Sequence, residues 1–452
     1  MTELPFNCLQ RVFRYAFGEF ATVVNAKHLV SVCTSVSRGW RSLVQELSIW
    51  KGLILHDEVD GFQHGYHEGV LLGQRQNELT LSIVKLGGKG LVAISLAFHL
   101  AKAESFELIA KECKNLKMVD FYATSDWHLE MDELTYGKAD DGTVEMCNFV
   151  AEDAIVNFFE TVSPLTHVCI STSLNMEVPL HIAETLASAK VLRSIGKNHQ
   201  LKAFGFTFTP ATIMEVEVFF QNQHSMRDNG VPNQVYLEHL LLKLHDEEDF
   251  PSFADMEDME LPSSFMEQLC ISAAKYPACF KNLVTLSLEE SLHLTDASLL
   301  KLAQALPPMH QLRYLLLDVS GMCPGDEEAP PPLSGRGVDA ALACLAATGS
   351  LRPLRRLGLG GHFFDPVEDA APLAAALGRC PGLLDVGLLG DPGLVAALAR
   401  ACPSLRRADL GAGEWDAEEV EGYARCARAF PRVALVSSSD ARGGGGGAAA
   451  GE

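Results

Sequence analysis

A six-residue spacing, Leu-x-x-Leu-x-Leu, recurs from Leu116 to Leu410 and restricts this chain more than any other feature. Unbroken copies are Leu283-Val-Thr-Leu286-Ser-Leu288, Leu312-Arg-Tyr-Leu315-Leu-Leu317 and Leu354-Arg-Arg-Leu357-Gly-Leu359. Substituted copies fall at Leu116/Val119/Phe121, Leu165/Val168/Ile170, Leu201/Phe204/Phe206, Leu237/Leu240/Leu242, Leu383/Val386/Leu388 and Leu405/Ala408/Leu410. One copy is a common accident; nine in order, most preceded by a helix-like run, are not. Alternate strand residues point to opposite faces, so the leucines share a buried face and the residues between them face out. A helix after each strand supplies the opposite wall, and such a unit leaves its apolar side wet unless several stack. The expected fold class is therefore α/β, a solenoid curved as a horseshoe. Length sets no ceiling on such a fold, because each repeat packs only on its neighbours.

First-leucine spacings run from 22 to 49 residues. The short ones fit one repeat of about 20–29 residues, and the long ones require insertions. Three insertions are visible. Trp127 to Asn148 is polar and acidic, and Gly321 to Gly337 is rich in Pro, Gly and acid and predicts a loop. Asp246 to Glu260 interleaves carboxylates with Phe250, Phe253, Met256 and Met259, the pattern either of a solvated loop or of a docking element for a basic partner. Asp296 to Ala305 predicts a repeat helix, with Thr295 or Asp296 as its cap. Upstream, the alternation of Leu79, Leu81 and Ile83 predicts a first strand, and Leu91 to Lys111 a helix.

The formal net charge of -22 argues against a dedicated nucleic-acid or anionic-membrane partner, both of which need cationic surface. Twelve scattered cysteines, without a Cys-x-x-Cys pair, predict reduced packed thiols in a cytoplasmic or nuclear protein. The N-terminus lacks a basic and an apolar region, so a secretory signal is not expected, and no apolar run is long enough to span a bilayer. His56, His64 and His67 lack the further ligands of a tetrahedral site, so no metal is expected. Gly87-Gly88-Lys89-Gly90 lacks the spacing and hydroxyl of a phosphate loop and predicts a turn. With no nucleophile elbow, His-Glu-x-x-His or dinucleotide fingerprint, no catalytic residue, enzymatic activity or cofactor is expected. After Lys301 the chain has no lysine and turns to arginine. Arg352, Arg355, Arg356, Arg406 and Arg407 fall at or beside outward strand positions, where they form either a target- or anion-binding strip or merely solvated charges.

The first fifty residues carry three short apolar stripes: Leu9, Val12, Phe13, Ala16 and Phe17; then Leu29, Val32 and Cys33; then Val36, Trp40, Leu43, Val44, Leu47 and Trp50. Three small helices bury little by themselves and need a partner or a neighbouring domain. The order Leu4-Pro5, Leu9, Val12-Phe13, Val32-Cys33, Trp40-Arg41 and Trp50 resembles an F-box. Cys113, Cys380 and Cys402 each precede a strand leucine by three residues, and Leu294-Thr295-Asp296 opens a helix after a strand. That pattern is similar to the cysteine-containing class of leucine-rich repeats, commonly joined to an F-box. The resemblance implies an F-box-like helical domain at 1–53, a linker at 54–76 and a leucine-rich-repeat solenoid at 77–436, and the Ser/Gly/Ala run at 437–452 cannot bury surface and is expected to be a disordered tail.

It implies further that the head docks a Skp-type adaptor and, through it, a cullin, with Leu4, Pro5, Leu9, Val12, Phe13, Val32 and Trp40 as contact or supporting residues. An unidentified target protein would sit on the solenoid, making the chain the substrate receptor of an SCF-type ubiquitin ligase. Two alternatives stay open. The head is only a cap on a binding scaffold without a ubiquitin role, or the arginine strip holds a small ligand that the receptor senses.

Overall fold

The computed structural model describes residues 81–82, 84–85, 88–97, 103–124, 136–138, 144–146, 152–162, 164–173, 188–208, 210–228, 235–244, 265–289, 294–318, 333–364, 367–389, 392–409 and 417–436. The F-box-like head, its seven proposed contact residues, the three histidines, the 246–260 stretch and the tail lie outside them. The chain divides into two compact units, Met1–Thr207 with Met226–Val235, and Phe208–Ser225 with Tyr236–Glu452. Each is a run of parallel strands alternating with helices.

The first unit contains strands β1 (Ala93–Ala97), β2 (Met118–Thr124), β3 (Tyr136–Lys138), β4 (Val144–Met146), β5 (His167–Ser173) and β6 (Ala203–Phe208). Helices α1 (Ala103–Glu112), α2 (Glu152–Thr161) and α3 (Ala189–Gly196) pack as the second layer. Strands β1, β2, β5 and β6 pair in that order, all parallel, while β3 and β4 form a separate antiparallel pair inside the acidic insertion. Phe106 of α1, Phe121 of β2 and Phe158 of α2 meet at ring-centroid distances of 5.4 and 5.5 Å, tying helix layer to sheet. Each such aromatic pair adds about 0.5–1.5 kcal/mol beyond the area it buries.

Two expectations are corrected here. Leu81, Ser82, Val84 and Lys85 are helical, so that alternation is not a strand. The first strand instead lies within the predicted Leu91–Lys111 helix. Leu91, Ile94 and Leu96 are a tenth copy of the hexad and are at most 2% exposed. The glycine turn before them sets the boundary, because the Leu91 amide donates to the Gly88 carbonyl at 3.1 Å and the chain enters β1 extended.

The second unit contains β7 (His239–Leu244), β8 (Thr285–Glu289), β9 (Tyr314–Asp318), β10 (Arg356–Phe363), β11 (Asp385–Leu389), β12 (Arg407–Asp409) and β13 (Ala434–Val436). They pair in sequence order, all parallel. Helices α4 (Val216–Asp228), α5 (Phe265–Lys275), α6 (Asp296–Ala305), α7 (Gly335–Ala347), α8 (Ala370–Gly378), α9 (Pro392–Ala401) and α10 (Ala417–Ala429) alternate with the strands. From α5 to α10 each helix packs on the next. The first, fourth and sixth hexad residues form the core between the layers: Leu286, Leu288, Leu354, Leu357 and Leu383 are all 0% exposed.

Two backbone devices repeat with the hexad. Ahead of the strand, the amide of the first leucine donates to the carbonyl three residues back, as Leu116 does to Cys113, Leu383 to Cys380 and Leu405 to Cys402. This turn is why a small apolar residue sits there, and all three cysteines are buried. At the second position, one carbonyl accepts two amides of the next repeat: Arg313 O from Arg355 and Arg356, Arg355 O from Leu384 and Asp385, Leu384 O from Arg406 and Arg407. These strand starts are thereby held in register.

The helix starts interlock as well. Thr295 caps α6 in a capping box with Ser298, which leaves Asp296 free to reach the next repeat. Its carboxylate accepts from the Ser334 amide at 2.8 Å and hydroxyl at 2.6 Å, and Ser334 in turn caps α7. Asp369 Oδ1 then accepts from the Gly335 amide at 2.7 Å. This capping starts a helix at Gly335, inside the segment the composition marks as loop.

Candidate functional site

The third hexad residues of the second unit form one row across the sheet. In register they are His239, Thr285, Tyr314, Arg356, Asp385 and Arg407. They point away from the leucine core because strand side chains alternate. The fifth residues run beside them: Leu241, Ser287, Leu316, Gly358, Gly387 and Asp409.

The two ends of this face differ in chemistry. Across β7 to β9 the third and fifth positions carry no carboxylate, ammonium or guanidinium, with Leu241 39% and Tyr314 41% exposed, and His239 Nδ1 lies 2.9 Å from Thr285 Oγ1. Across β10 to β12 it is charged. Asp385 stands between two arginines, with its Oδ2 3.8 Å from Arg356 Nε, and Arg407 Nη2 lies 3.4 Å from Asp409 Oδ2. Burial pushes the Asp385 carboxyl above the usual carboxylate range; the charges of Arg356 and Arg407 oppose that shift and Asp409 adds to it. Nε of Arg356, Nε of Arg407 and Oδ1 of Asp385 are covered without a hydrogen-bond partner, so the row leaves donor and acceptor capacity unused.

Gly358 and Gly387 lie side by side beneath the charged row. A Cβ on Gly387 would meet only Gly358 Cα at 3.7 Å and Asp409 Cβ at 4.0 Å, which is ordinary contact. Packing therefore does not require glycine at Gly387. The pair leaves a shallow floor between Leu316 and Asp409, where an incoming side chain meets backbone.

The five arginines of the expected strip take three roles. Arg356 and Arg407 sit on the outward face against aspartates. Arg355 and Arg406 occupy second hexad positions at the strand-start edge, where Arg355 Nη1 donates to the Gly382 carbonyl at 2.8 Å and Arg406 Nη1 to those of Pro403 and Leu405 at 3.2 Å. Arg352 is exposed in the turn before β10. Reading along the chain missed Asp385, Asp409 and Tyr314. The signal for them is their shared place in the hexad, visible once the copies are superposed.

Among the described residues no group of His, Cys, Asp and Glu could hold a metal ion, and no helix is long and apolar enough to cross a membrane. Burial pushes the Cys113 and Cys380 thiols up to about 12, so both stay protonated and unreactive at neutral pH.

No family model matches the chain, and no curated protein sequence matches it. Among solved structures it is similar to a chain of the crystal structure of the Rad7 and Elc1 complex in yeast, at 15% sequence identity and a TM-score of 0.45, over 96% of this chain and 94% of that one.

Proposed function

We propose that this chain is a non-catalytic substrate receptor of an SCF-type ubiquitin ligase, working in the cytoplasm or nucleus. A target protein docks on the outward sheet face of the second unit. The N-terminal segment holds a Skp-type adaptor and, through it, a cullin. The observation that carries the receptor half is the in-register row from His239 to Arg407. It offers an uncharged end with exposed Leu241 and Tyr314, a charged end and a side-chain-free floor on one sheet. The adaptor half is supported by the order of Leu4-Pro5, Leu9, Val12-Phe13, Val32 and Trp40. In this reading the chain makes no bond itself; holding the target raises the effective concentration of its lysines near a loaded conjugating enzyme.

Affinity purification of the full chain tests both halves. Leu4→Ala with Pro5→Ala should lose adaptor and cullin while the target stays bound. Leu241→Asp with Tyr314→Asp should lose the target while the adaptor stays. A wild-type chain that never co-purifies with an adaptor would be a binding scaffold without a ubiquitin role.

A further inference from the structure

The second hexad residues of the second unit are Glu238, Val284, Arg313, Arg355, Leu384 and Arg406. Their carbonyls belong to the backbone ladder, but four of their side chains, Arg313, Arg355, Leu384 and Arg406, are exposed at the strand-start edge of β9 to β12. Arg352 is exposed beside them. Unlike Arg356 and Arg407, these four arginines form no ion pair among the described residues. In a chain of formal net charge -22, an edge of four unneutralised arginines around one exposed leucine stands apart.

The geometry points to an acidic peptide segment of a partner protein, extended across the strand starts of β9 to β12, as the occupant of this edge. The inference rests on the receptor reading and gives its target a chemistry. Neighbouring strands lie about 4.8 Å apart, so Arg355 and Arg406, two strands apart, are separated by about 10 Å at the backbone. A polyproline II segment rises about 3.1 Å per residue and returns every third side chain to the same face, so carboxylates three residues apart lie about 9 Å apart on one side and match that separation. Leu384, 41% exposed, lies between the two arginines and meets an apolar side chain between the two acids. Arg313 and Arg355, on adjacent strands, flank a carboxylate from both sides, and a guanidinium takes a carboxylate through two parallel hydrogen bonds. A nucleic-acid duplex fits less well: its backbone offers nothing apolar to Leu384, and the acidic remainder of the chain repels a polyanion.

The test is fluorescence anisotropy of the full chain with a labelled peptide of repeated Glu-Leu-Ser, in which acids fall three residues apart. Binding that weakens with salt is expected. Arg355→Glu with Arg406→Glu should raise Kd about tenfold or more, since each exposed contact contributes modestly and reversal turns attraction into repulsion. Arg336→Glu, on the exposed surface of α7, should leave Kd unchanged. A Lys-Leu-Ser peptide should not bind. Equal binding by the double variant overturns the inference, as does tighter binding of a DNA duplex or of phosphatidylserine vesicles than of the peptide. So does a peptide affinity that rises tenfold on deleting 246–260, which would make the chain's own acidic stretch the occupant. Natural partners captured by the same variants separate the two levels. If the arginine variant still captures them and the peptide fails, only the edge is wrong. If Leu241→Asp with Tyr314→Asp leaves capture unchanged, the receptor reading itself falls.

Discussion

Two adjacent residues on β11 should respond in opposite directions to substitution by alanine. Val386 is 1% exposed and lies in register with Leu357 and Ala408 inside the core. Val386→Ala removes two methyl groups at about 0.8 kcal/mol each and leaves a small cavity, for a loss of about 2–3 kcal/mol. Gly387 is the next residue and faces outward. Its φ lies outside the left-handed region, and an added Cβ has room, with its nearest neighbours at 3.7 and 4.0 Å. Gly387→Ala therefore introduces no strain and reduces the freedom of the unfolded chain, a gain of about 0.5–1 kcal/mol. The two variants should differ by about 3 kcal/mol although each alters very few atoms. Because repeats can open locally, the measurement is native-state hydrogen exchange of the β10 to β12 amides, with urea unfolding alongside. A Gly387→Ala loss above about 1 kcal/mol, or a Val386→Ala effect within about 0.5 kcal/mol, would place these residues on the wrong faces and refute the hexad reading. If the proposed receptor reading holds, the same Gly387→Ala change raises the floor beneath the third-position row, so target affinity should fall while stability rises.

Gly337→Ala should destabilise by about 2 kcal/mol or more, because its Cβ would collide with the Asp296 carboxylate that reaches Ser334; a thermal shift measures it, and adding Asp296→Ala should recover part of the loss. Cys113 and Cys380, pushed to about 12 from 9.0, should carry about a thousandth of an ordinary thiolate population at pH 8, and mass-resolved iodoacetamide labelling of the folded chain should find them last. The Lys275 ammonium, at 2.8 Å, and the Tyr276 hydroxyl hold the Glu217 carboxyl below its usual range. Its folded pKa lies below the unfolded one, so its stabilisation is present above the ordinary carboxylate range and lost as pH falls through the depressed value. Glu217→Gln should flatten that acidic limb of a stability–pH curve.

The core was legible because its rule is strict: the same three hexad positions are buried wherever the structure describes them. The tenth copy escaped because Gly90 to Ala101 is apolar but for Ser95 and His99, a run that fits a buried strand and a buried helix equally well by periodicity. The glycines ahead of it decide the matter through a turn that pattern alone does not supply. Helix caps were half legible. Thr295 and Asp296 are both good caps by chemistry, and only the approach of Ser334 from the next repeat assigns them different tasks. For the site, the arginines were visible along the chain but their surroundings were not. Asp385 lies between Arg356 and Arg407 only across strands, each a whole repeat away in sequence.

The place of a residue in the hexad thus determines what a substitution there does. The first, fourth and sixth residues fill the core, and the second residue's carbonyl carries the ladder, a backbone role that most side chains satisfy equally well. That leaves the second, third and fifth side chains largely free of the fold's demands, and these positions build both the outward face and the arginine edge. Changes there should cost little stability, surface substitutions generally falling within about 0.5 kcal/mol. A sheet built this way separates the residues that fold it from those on its surface, position by position. An end with exposed Leu241 and Tyr314, an Arg–Asp–Arg row and an unneutralised basic edge can therefore coexist within one run of strands whose starts the backbone ladder holds in register.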